Sequence, residues 1–432
     1  MFVPIAASNF SPLPQGEREF FPLCNRYVHC RNSPKSPLEI VMRKYSVVLS
    51  LAMMAFLPFG SVAADKVVPQ SAPDASLRHE VENSIGKGLT WLAGKQLPEG
   101  YWGQSEHPAV SALILTAFQG DPSKFYQKKY EKNIKLGYEY VLGNVKPDGS
   151  IYNKGLPNYN TAISMTALLV ANKKAYEPTL KKARKYLISQ QDDFGEKGMG
   201  DHPLDGGVGY GGRGATNSDI NNTTAALEAL YYTRYLKSDV ANDPDAQDLN
   251  WKAAAQFITR SQNLPGQNDQ PWASADAENK GGFVYFPENS KAGEMPVADG
   301  KVAFRSYGSA SYNGLLSFIY AQMDKNDPRV VAVKEWLTRN YSLTENPGLG
   351  QDGLFYYYHT MAKALTIAGI DTLVMKDGSK LNWRQELTKR LINLQNADGT
   401  WVNKQSARYW ESDPHLVTAL ATLTLKILYR GL

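Results

Sequence analysis

Cysteine is nearly absent from this chain of 432 residues. The only two, Cys24 and Cys30, lie close to the amino terminus, ahead of the region whose pattern indicates a folded domain. A domain without cysteine has no disulfide bonds, thiolate-bound metal ions, cysteine nucleophile or internal thioester. These kinds of chemistry are excluded for the folded region, and we expect neither a metal ion nor another cofactor.

An excess of charge of one sign is also missing. Of the 47 Lys and Arg residues and the 42 Asp and Glu residues, six and three fall within residues 1–64, which leaves 41 basic and 39 acidic side chains. Proteins that bind nucleic acids carry a strongly basic surface that neutralises phosphates. The balanced charge therefore argues against nucleic acid as a partner.

A long apolar run is missing as well. The stretch from Val47 to Phe59 is shorter than the roughly 20 residues that a membrane span requires. It follows Arg43 and Lys44 and precedes Val62-Ala63-Ala64, which is the pattern of a signal peptide cleaved after Ala64. We therefore predict a signal peptide at residues 42–64 and an exported protein, located in the periplasm or the cell envelope.

The other boundaries follow from the position of this signal. Because a signal peptide stands at the start of a protein, residues 1–41 are interpreted as a disordered segment upstream of the true start at Met42. We expect residues 65–79 to be flexible. Residues 80–432 are predicted to form a single domain, since no linker rich in Ser, Gly or Pro divides them.

One motif recurs along the predicted domain. Gln395-Asn396-Ala397-Asp398-Gly399-Thr400-Trp401 shares its Gln, Gly and Trp positions with Gln96-Leu97-Pro98-Glu99-Gly100-Tyr101-Trp102. Looser copies stand at 144–151, 206–210, 281–285 and 352–355. In such a motif the Gln amide can bridge helix ends, the indole packs against the adjoining unit, and Gly permits the turn. Six copies indicate a repeat protein.

Each glycine turn lies between two segments with helical periodicity. The segments after the turns are rich in apolar and small residues, at 108–118, 159–171, 221–232, 307–322, 355–369 and 415–428. The segments before the turns are rich in charge, at 84–96, 127–142, 180–191, 249–262, 328–340 and 383–395. The first set is expected to be buried and the second to face solvent. Both terminal turns keep the full motif, whereas open arrays end in polar caps, so we predict an all-α fold, an α/α toroid of six inner and six outer helices closed into a barrel.

The Gln-x-x-x-Gly-x-Trp pattern resembles the repeat of squalene-hopene cyclases and oxidosqualene cyclases, and more distantly that of protein prenyltransferase beta subunits. The resemblance covers roughly residues 80–430. It implies an α/α toroid whose inner helices surround an apolar pocket for an isoprenoid. The chain is most similar to exported bacterial prenyltransferase/squalene-oxidase-repeat proteins, and the resemblance of the fold alone assigns no reaction.

The acid motif of the class II cyclases is altered here. Those enzymes protonate an alkene or epoxide with an Asp-x-Asp-Asp-Thr motif at the head of an inner helix, and the nearest match is Asp219-Ile220-Asn221-Asn222-Thr223-Thr224. Amides replace two carboxylates, including the one that would donate the proton, and an amide is not a strong general acid. Asp219 is left with two interpretations, an acid or a helix N-cap.

A second stretch, Tyr357-Tyr358-His359-Thr360, is similar to the one that provides the zinc-binding His of prenyltransferase beta subunits. The Cys of that family is absent, and its Asp has no convincing counterpart. Because a catalytic zinc needs about three protein ligands, we predict no metal site. The alternative is a buried His that is hydrogen-bonded to a neighbour.

Aromatic residues cluster around the turns and the starts of the inner helices. Such side chains can hold a polyene and stabilise a carbocation, each contact contributing about 0.5–2 kcal/mol, but they also fill the cores of helical barrels. The predicted ligand-binding residues are Tyr210, Tyr285, Tyr307, Tyr312, Tyr356, Tyr357 and Trp410.

Ionisable side chains concentrate before the last inner helix, at 408–415. Asp413 followed by Pro414 is typical of a helix start, with the carboxylate as N-cap, whereas Glu411 has no such explanation. We therefore predict that Asp219, His359 and Glu411 form an acid/base constellation at one rim of the ring, where they would be the catalytic residues.

The sequence favours an exported protein that binds an isoprenoid or another apolar lipid in a central cavity. The sequence does not decide whether the protein is an enzyme. If it is one, the first expectation is cyclase-like or prenyltransferase-like chemistry. One alternative is a polysaccharide hydrolase or lyase, which needs two carboxyl groups about 5–9.5 Å apart, drawn from Asp205, Asp219, Glu411 and Asp413. The other is a non-catalytic envelope scaffold, expected if side chains fill the centre. A lipid ligand is compatible with peripheral membrane association, and the oligomeric state is not specified.

Overall fold

The computed structural model describes residues 75–212, 218–240, 242–297 and 302–432. The upstream segment with Cys24 and Cys30 and the signal peptide at 42–64 lie outside these ranges, so export and cleavage after Ala64 stay predictions. Within the described ranges, no helix combines the length and apolar character that crossing a bilayer requires.

The described part of the chain forms thirteen α-helices and two small hairpins. The helices are α1 (Ala75–Gly94), α2 (Pro108–Gln119), α3 (Phe125–Lys129), α4 (Glu131–Gly143), α5 (Pro157–Val170), α6 (Glu177–Ile188), α7 (Ile220–Tyr232), α8 (Trp251–Arg260), α9 (Gly308–Tyr320), α10 (Pro328–Arg339), α11 (Leu354–Ile367), α12 (Trp383–Leu394) and α13 (Pro414–Tyr429). Antiparallel strands β1 (Glu294–Pro296) and β2 (Val302–Phe304) form one hairpin, and β3 (Leu373–Val374) and β4 (Lys380–Leu381) form the other.

Two kinds of helix alternate along the chain. Helices α2, α5, α7, α9, α11 and α13, called the buried helices, are buried on almost every side. Helices α1, α4, α6, α8, α10 and α12, called the flanking helices, bury one face only. This alternation confirms the predicted division into an apolar and a charged set, because an apolar helix surface is stable only when it is removed from water.

The buried helices contact one another in chain order. Helix α2 packs against α5, α5 against α7, α7 against α9, α9 against α11, α11 against α13, and α13 against α2. The flanking helices lie against them, with α4 on α2, α6 on α5, α8 and α10 on α9, and α12 and α1 on α13. The first and last repeats are therefore neighbours.

Five of the six glycine turns approach the backbone of the next flanking helix, and the turn at Gly353, which faces the Tyr409 ring, is the exception. Gly281 has a φ of 94°, and a Cβ atom there would lie 2.3 Å from the carbonyl oxygen of Ala332 in α10. Gly399 repeats this geometry against Lys87 in α1, at 2.8 Å. Only glycine tolerates both the positive φ and such a close approach. The turn after the last flanking helix thus lies against the first.

Hydrogen bonds of the motif strengthen the same contact. The Gln395 side-chain amide donates to the carbonyl of Ser84 in α1 at 2.9 Å and to that of Gly399 at 3.0 Å. The indole of Trp401 donates to the carbonyl of Leu391 at 2.7 Å. The bonds to Leu391, in the last turn of α12, and to Gly399, in the glycine turn, satisfy carbonyl groups that are costly to bury without a donor. The Gln therefore joins the end of α12 to α1, but its partner Ser84 lies in the middle of α1 and not at the predicted helix end.

A further repeated bond was not predicted from the sequence. The backbone N–H of Trp401 donates to the hydroxyl of Thr418 in α13 at 3.1 Å. The same bond recurs from Trp102 to Ser111, Ile151 to Thr161, Val208 to Thr223, and Phe283 to Ser311. Each joins the residue two places after the turn glycine to the start of the following buried helix. The number of residues between the N–H donor and the hydroxyl acceptor differs from repeat to repeat, so the sequence alone did not reveal this pattern.

Some predicted boundaries were wrong. Helix α1 begins at Ala75, ahead of the predicted domain start at residue 80, and within it Arg78 donates to the carbonyl of Leu432 at 2.7 Å and lies 5.2 Å from the centre of the Tyr429 ring. The single helix predicted for 127–142 is interrupted at Tyr130, whose backbone leaves the helical region. Both differences depend on tertiary contacts or local geometry that the helical periodicity does not encode.

We predict that Gly281→Ala lowers the free energy of unfolding by roughly 3 kcal/mol or more, because it adds both a strained φ and a backbone overlap. Gly266→Ala is the matched control, since Gly266 has a φ of 86° and no atom lies within 4 Å of the position that the added methyl group would take. It should cost only the conformational strain, about 1–2 kcal/mol. Urea unfolding followed by circular dichroism measures both, and equal losses would contradict the proposed overlap.

Candidate functional site

Asp219 precedes α7 and is completely buried. Its Oδ1 accepts hydrogen bonds from the backbone N–H groups of Asn221 at 2.9 Å and Asn222 at 3.0 Å, and its Oδ2 accepts one from the Asn222 amide at 2.6 Å. Asp219 is therefore an N-cap. Burial raises the pKa of its carboxyl group, and the positive charge of Lys291 and these hydrogen bonds oppose that shift.

Lys291 is the charged neighbour of Asp219 that sequence reasoning missed. Its Nζ lies 3.4 Å from the centre of the Tyr285 ring and 5.5 Å from that of Tyr409. Burial lowers the pKa of this amine to about 7, although the charge of Asp219 opposes the shift. Lys291 lies in the long insertion before α9, in which no motif marks it.

Four of the predicted aromatic residues surround Asp219. Burial, and then the charge of Asp219 or of other tyrosines, raises the pKa of the hydroxyl groups of Tyr210, Tyr285, Tyr307 and Tyr356. We call Tyr210, Asp219, Tyr285, Lys291, Tyr307, Tyr356 and Tyr409 the tyrosine site. It lies where the chain enters α7, α9 and α11, and it combines aromatic faces with one carboxyl group and one amine.

The other predicted aromatic residues have different neighbours. The rings of Tyr312 and Tyr357 lie 5.6 Å apart, and the Tyr357 hydroxyl donates to the carbonyl of Ser342 in the loop before α11 at 3.0 Å. Trp410 packs against His107 with 4.9 Å between the ring centres. The contacts of Tyr312 and Tyr357 are those of packing between α9, α11 and that loop, so we do not include them in the tyrosine site.

Glu411 caps the helix that carries Tyr356. Helix α11 begins after Gly353, which has no side chain to cap it. The Oε1 of Glu411 accepts a hydrogen bond from the backbone N–H of Tyr356 at 2.9 Å, and its Oε2 accepts one from the Asn403 amide at 2.8 Å. Burial outweighs these bonds and raises the pKa of Glu411 to about 7. The carboxyl group that sequence reasoning left unexplained thus has a structural role.

His359 lies one turn further along α11 and is completely buried. Its Nδ1 lies 3.4 Å from the hydroxyl of Thr424 in α13. Burial, together with the nearby charges of Lys363 and Lys426, lowers the pKa of the imidazole well below its usual value. The ring is therefore neutral near pH 7. Among the described residues, no group of three or more His, Cys, Asp or Glu side chains could hold a metal ion.

The three predicted catalytic residues thus have different immediate partners. Asp219 faces Lys291 and Tyr285, whereas Glu411 bonds the backbone of α11 and His359 contacts Thr424. Tyr356 lies close to two of the three residues. Its backbone N–H donates to Glu411, and the charge of Asp219 contributes to raising the pKa of its hydroxyl group. A single constellation of all three residues stays a prediction.

Buried polar side chains fill space between the buried helices. The Asn313 amide on α9 donates to Asn221 on α7 at 2.6 Å and to the hydroxyl of Tyr356 on α11 at 2.7 Å. Deeper along the same helices, Lys363 on α11 pairs with Glu228 on α7 at 2.7 Å, and both side chains are almost completely buried. The space between these helices is therefore more polar than the apolar lining that the sequence predicted.

The carboxyl groups considered for glycan cleavage are all backbone caps. Asp205 accepts hydrogen bonds from the N–H groups of Phe194 and His202, both at 2.7 Å. Asp413 caps α13 and also lies 2.9 Å from the imidazole of His415. Asp219 and Glu411 cap α7 and α11. A carboxylate held by helix or loop N–H groups is accounted for without a catalytic role.

Two solved enzymes share the architecture at low sequence identity. A variant of the type II terpene cyclase MstE from Scytonema, in complex with geranylgeranyl dihydroxybenzoate, has a TM-score of 0.50 and 12% identity, and the alignment covers 83% of this chain and 99% of that one. An inactive variant of the α-1,6-mannanase GH76A from Salegentibacter sp. HEL1_6, in complex with α-1,6-mannotriose, has a TM-score of 0.51 and 11% identity, with 81% and 98% covered. The sequence matches no protein-family model and no curated protein.

Both enzymes are α/α toroid proteins, and this helical chain has their fold. The resemblance noted in the sequence is confirmed at this level. The two similar enzymes catalyse unrelated reactions, so the shared fold does not assign either reaction to this chain. Any function has to be argued from the side chains of this chain.

We predict that Lys363→Met destabilises the protein by about 3–5 kcal/mol, because it leaves the Glu228 carboxylate buried without its cation. The double variant Glu228→Leu/Lys363→Met removes both charges and should cost clearly less. Urea unfolding of the two variants measures the difference. A double variant less stable than the single one would contradict this account.

We also predict a change in the pH dependence of stability on Glu411→Gln. The pKa of Glu411 in the folded protein, about 7, lies above the ordinary value, so its contribution to stability is complete below about pH 4.3 and is lost as the pH rises through 7. Between pH 5 and pH 8 the wild type should therefore lose more stability than the variant, by an amount on the order of 2 kcal/mol. The control Glu131→Gln, in the exposed first turn of α4, should follow the wild type, and parallel curves for Glu411→Gln would contradict the assignment.

Proposed function

We propose that this protein is an exported toroid protein that binds an isoprenoid, or another apolar molecule with a polar end, at the tyrosine site. One observation carries the proposal. Four tyrosines surround a buried carboxyl group and a buried amine, at the starts of three buried helices. Such a combination offers apolar faces for a hydrocarbon and polar groups for its end.

The aromatic faces supply most of the expected affinity. Each Å² of apolar surface removed from water contributes about 25 cal/mol, and a tyrosine ring is a large flat surface for a chain of isoprene units. The polar atoms of Asp219, Lys291 and Asn222 fix the orientation of the ligand. This division of roles is usual in small-molecule sites, where few polar groups determine specificity.

Asp219 is the candidate proton donor if the bound molecule is converted. It is the one carboxyl group that remains at the Asp-Ile-Asn-Asn motif, and burial raises its pKa, which favours the protonated form that a general acid requires. The surrounding rings would stabilise a developing cation. We propose this chemistry second to binding, because the same carboxyl group also caps α7.

We infer that the twelve helices of the two sets form six pairs and close into a complete ring. The contacts of α13 with α1 and α2 support this inference, as does the bond from Gln395 to Ser84. Export from the cytoplasm is proposed on the signal-peptide pattern at 42–64. Closure matters for function because it fixes the distances between α7, α9 and α11 at the tyrosine site.

A non-catalytic envelope scaffold is the second candidate. It is favoured by the polar side chains that bridge α7, α9 and α11, namely the Asn221, Asn313 and Tyr356 group and the Glu228–Lys363 pair. These side chains occupy space that a large ligand would need. A glycan hydrolase receives less support, since each of its candidate carboxyl groups caps backbone N–H groups.

Binding of labelled farnesol to residues 65–432, measured by equilibrium dialysis, tests the leading proposal. We expect saturable binding. We expect Tyr285→Leu to weaken it about tenfold or more, because the ligand loses its contact with one ring and Lys291 loses the ring face against which it lies. α-1,6-mannotriose should not compete.

The matched control is Tyr231→Leu at the opposite end of α7. Tyr231 is also half-buried, and the guanidinium of Arg234 lies 5.0 Å from the centre of its ring. This variant should bind farnesol like the wild type. Absence of binding by the wild type, with all variants folded by circular dichroism, would reject the proposal in favour of the scaffold.

A further inference from the structure

We propose that Lys291 is a nucleophile that forms a reversible imine with an apolar aldehyde or ketone bound at the tyrosine site. This inference rests on the proposed function and names the chemical class of its ligand. On this proposal, the polar atoms of the site recognise a carbonyl group of the ligand. They do not recognise an alcohol or a double bond.

The first support is the position of the amine. The Lys291 Nζ is buried, and among the described residues it has no hydrogen-bond acceptor and forms no ion pair. It lies 3.4 Å from the centre of the Tyr285 ring and 5.5 Å from that of Tyr409. The ring faces attract an ammonium group, but an ammonium group with three unsatisfied N–H bonds is costly to bury, and burial is the larger effect. The neutral amine, which is the form that attacks a carbonyl carbon, is therefore well populated.

The second support is a pair of hydroxyl groups without partners. The hydroxyl of Tyr307, whose side chain is completely buried, has no hydrogen-bond partner in the described structure, and neither has the buried hydroxyl of Tyr409. These two tyrosines are electrostatically coupled to each other, and Tyr307 is also coupled to Asp219. Buried polar atoms normally find partners. A carbonyl oxygen is an acceptor that two hydroxyl donors can share.

The charges around the amine are consistent with this role. Asp219 and Arg408 are the charged groups that affect the amine, with opposite effects, and burial exceeds both. Arg408 is itself paired with Asp352 at 2.8 Å. Both oxygens of Asp219 accept bonds from the start of α7, so the carboxylate is held in place and does not form a direct ion pair with Lys291.

The step balances without an oxidant or a reductant. The nitrogen lone pair of Lys291 forms a bond to the carbonyl carbon, and the carbonyl oxygen takes up a proton to give a carbinolamine. The C–O bond then breaks, the oxygen leaves as water with a second proton, and a C=N bond remains. Both protons come from the two N–H bonds of the amine. We assign the unpartnered hydroxyl groups of Tyr307 and Tyr409 to binding the oxygen while this occurs.

Farnesal and farnesol provide a matched pair of probes, because they share a carbon skeleton and differ only at the reacting end. Residues 65–432 are incubated with farnesal and sodium cyanoborohydride at pH 7, and the reduced adduct is located by peptide mass spectrometry. We expect one adduct per chain, at Lys291. With a pKa of about 7, roughly half of this amine is neutral, against less than about one in a thousand for an ordinary lysine.

Two variants assign the adduct. Lys291→Arg keeps a cation but removes the nucleophile and should abolish labelling, while circular dichroism shows whether it is folded. Lys173→Arg is the control, since Lys173 is an exposed lysine whose Nζ lies 5.5 Å from the centre of the Tyr176 ring, and it should label like the wild type. The double variant Tyr307→Phe/Tyr409→Phe should keep Lys291 and slow labelling about tenfold or more.

The outcomes separate this inference from the function on which it rests. Binding of farnesol without a farnesal adduct, or an adduct that persists in Lys291→Arg, overturns the inference and leaves the proposed function standing. Farnesoic acid that binds more tightly than farnesol through Lys291, with no adduct, also overturns it, because the amine would then act as an ammonium anchor. No binding of farnesol or farnesal overturns both.

Discussion

The contact between a turn glycine and the backbone of the next flanking helix is the constraint on which the structure depends. At Gly281 and Gly399 the approach is so close that no side chain fits, and the Gln and Trp of the motif then bond the carbonyl groups nearby. A second bond connects the turn to a Ser or Thr of the next buried helix. Five of the six turns thus contact two helices at once. The tyrosine site inherits its geometry from these turns, because its side chains lie where the turns and insertions lead into buried helices.

The helix starts also explain why two carboxyl groups are buried. Asp219 caps α7, and Glu411 caps α11 from a different part of the chain. These carboxyl groups stay buried because helix N–H groups compensate their charge, and burial then shifts their pKa upward. Groups with shifted pKa values are common at functional sites, but here the shift follows from a structural task. The neighbours of the two carboxyl groups differ, since Asp219 has the Lys291 amine and the unpartnered hydroxyl of Tyr307 close by.

Much of the fold could be predicted from the sequence because its signal is periodic. Helix α9, predicted at 307–322, spans Gly308–Tyr320, and the other buried helices agree equally well. The break at Tyr130 and the hairpins escaped prediction, since they depend on local geometry that helical periodicity does not encode. At the site, the sequence identified Asp219 and the tyrosines through motif and position. Lys291 escaped, because a lone lysine in a loop becomes notable only when the structure places it over two aromatic rings and away from water.

The bond from Gln395 to Ser84 joins residues 311 positions apart, and α1 finds its main partner in α13. A nascent chain therefore makes its first helix long before the surface that covers it exists. Contacts at such separation demand a large loss of chain entropy before they form. The first repeat can therefore complete its packing only after nearly the whole chain has been made.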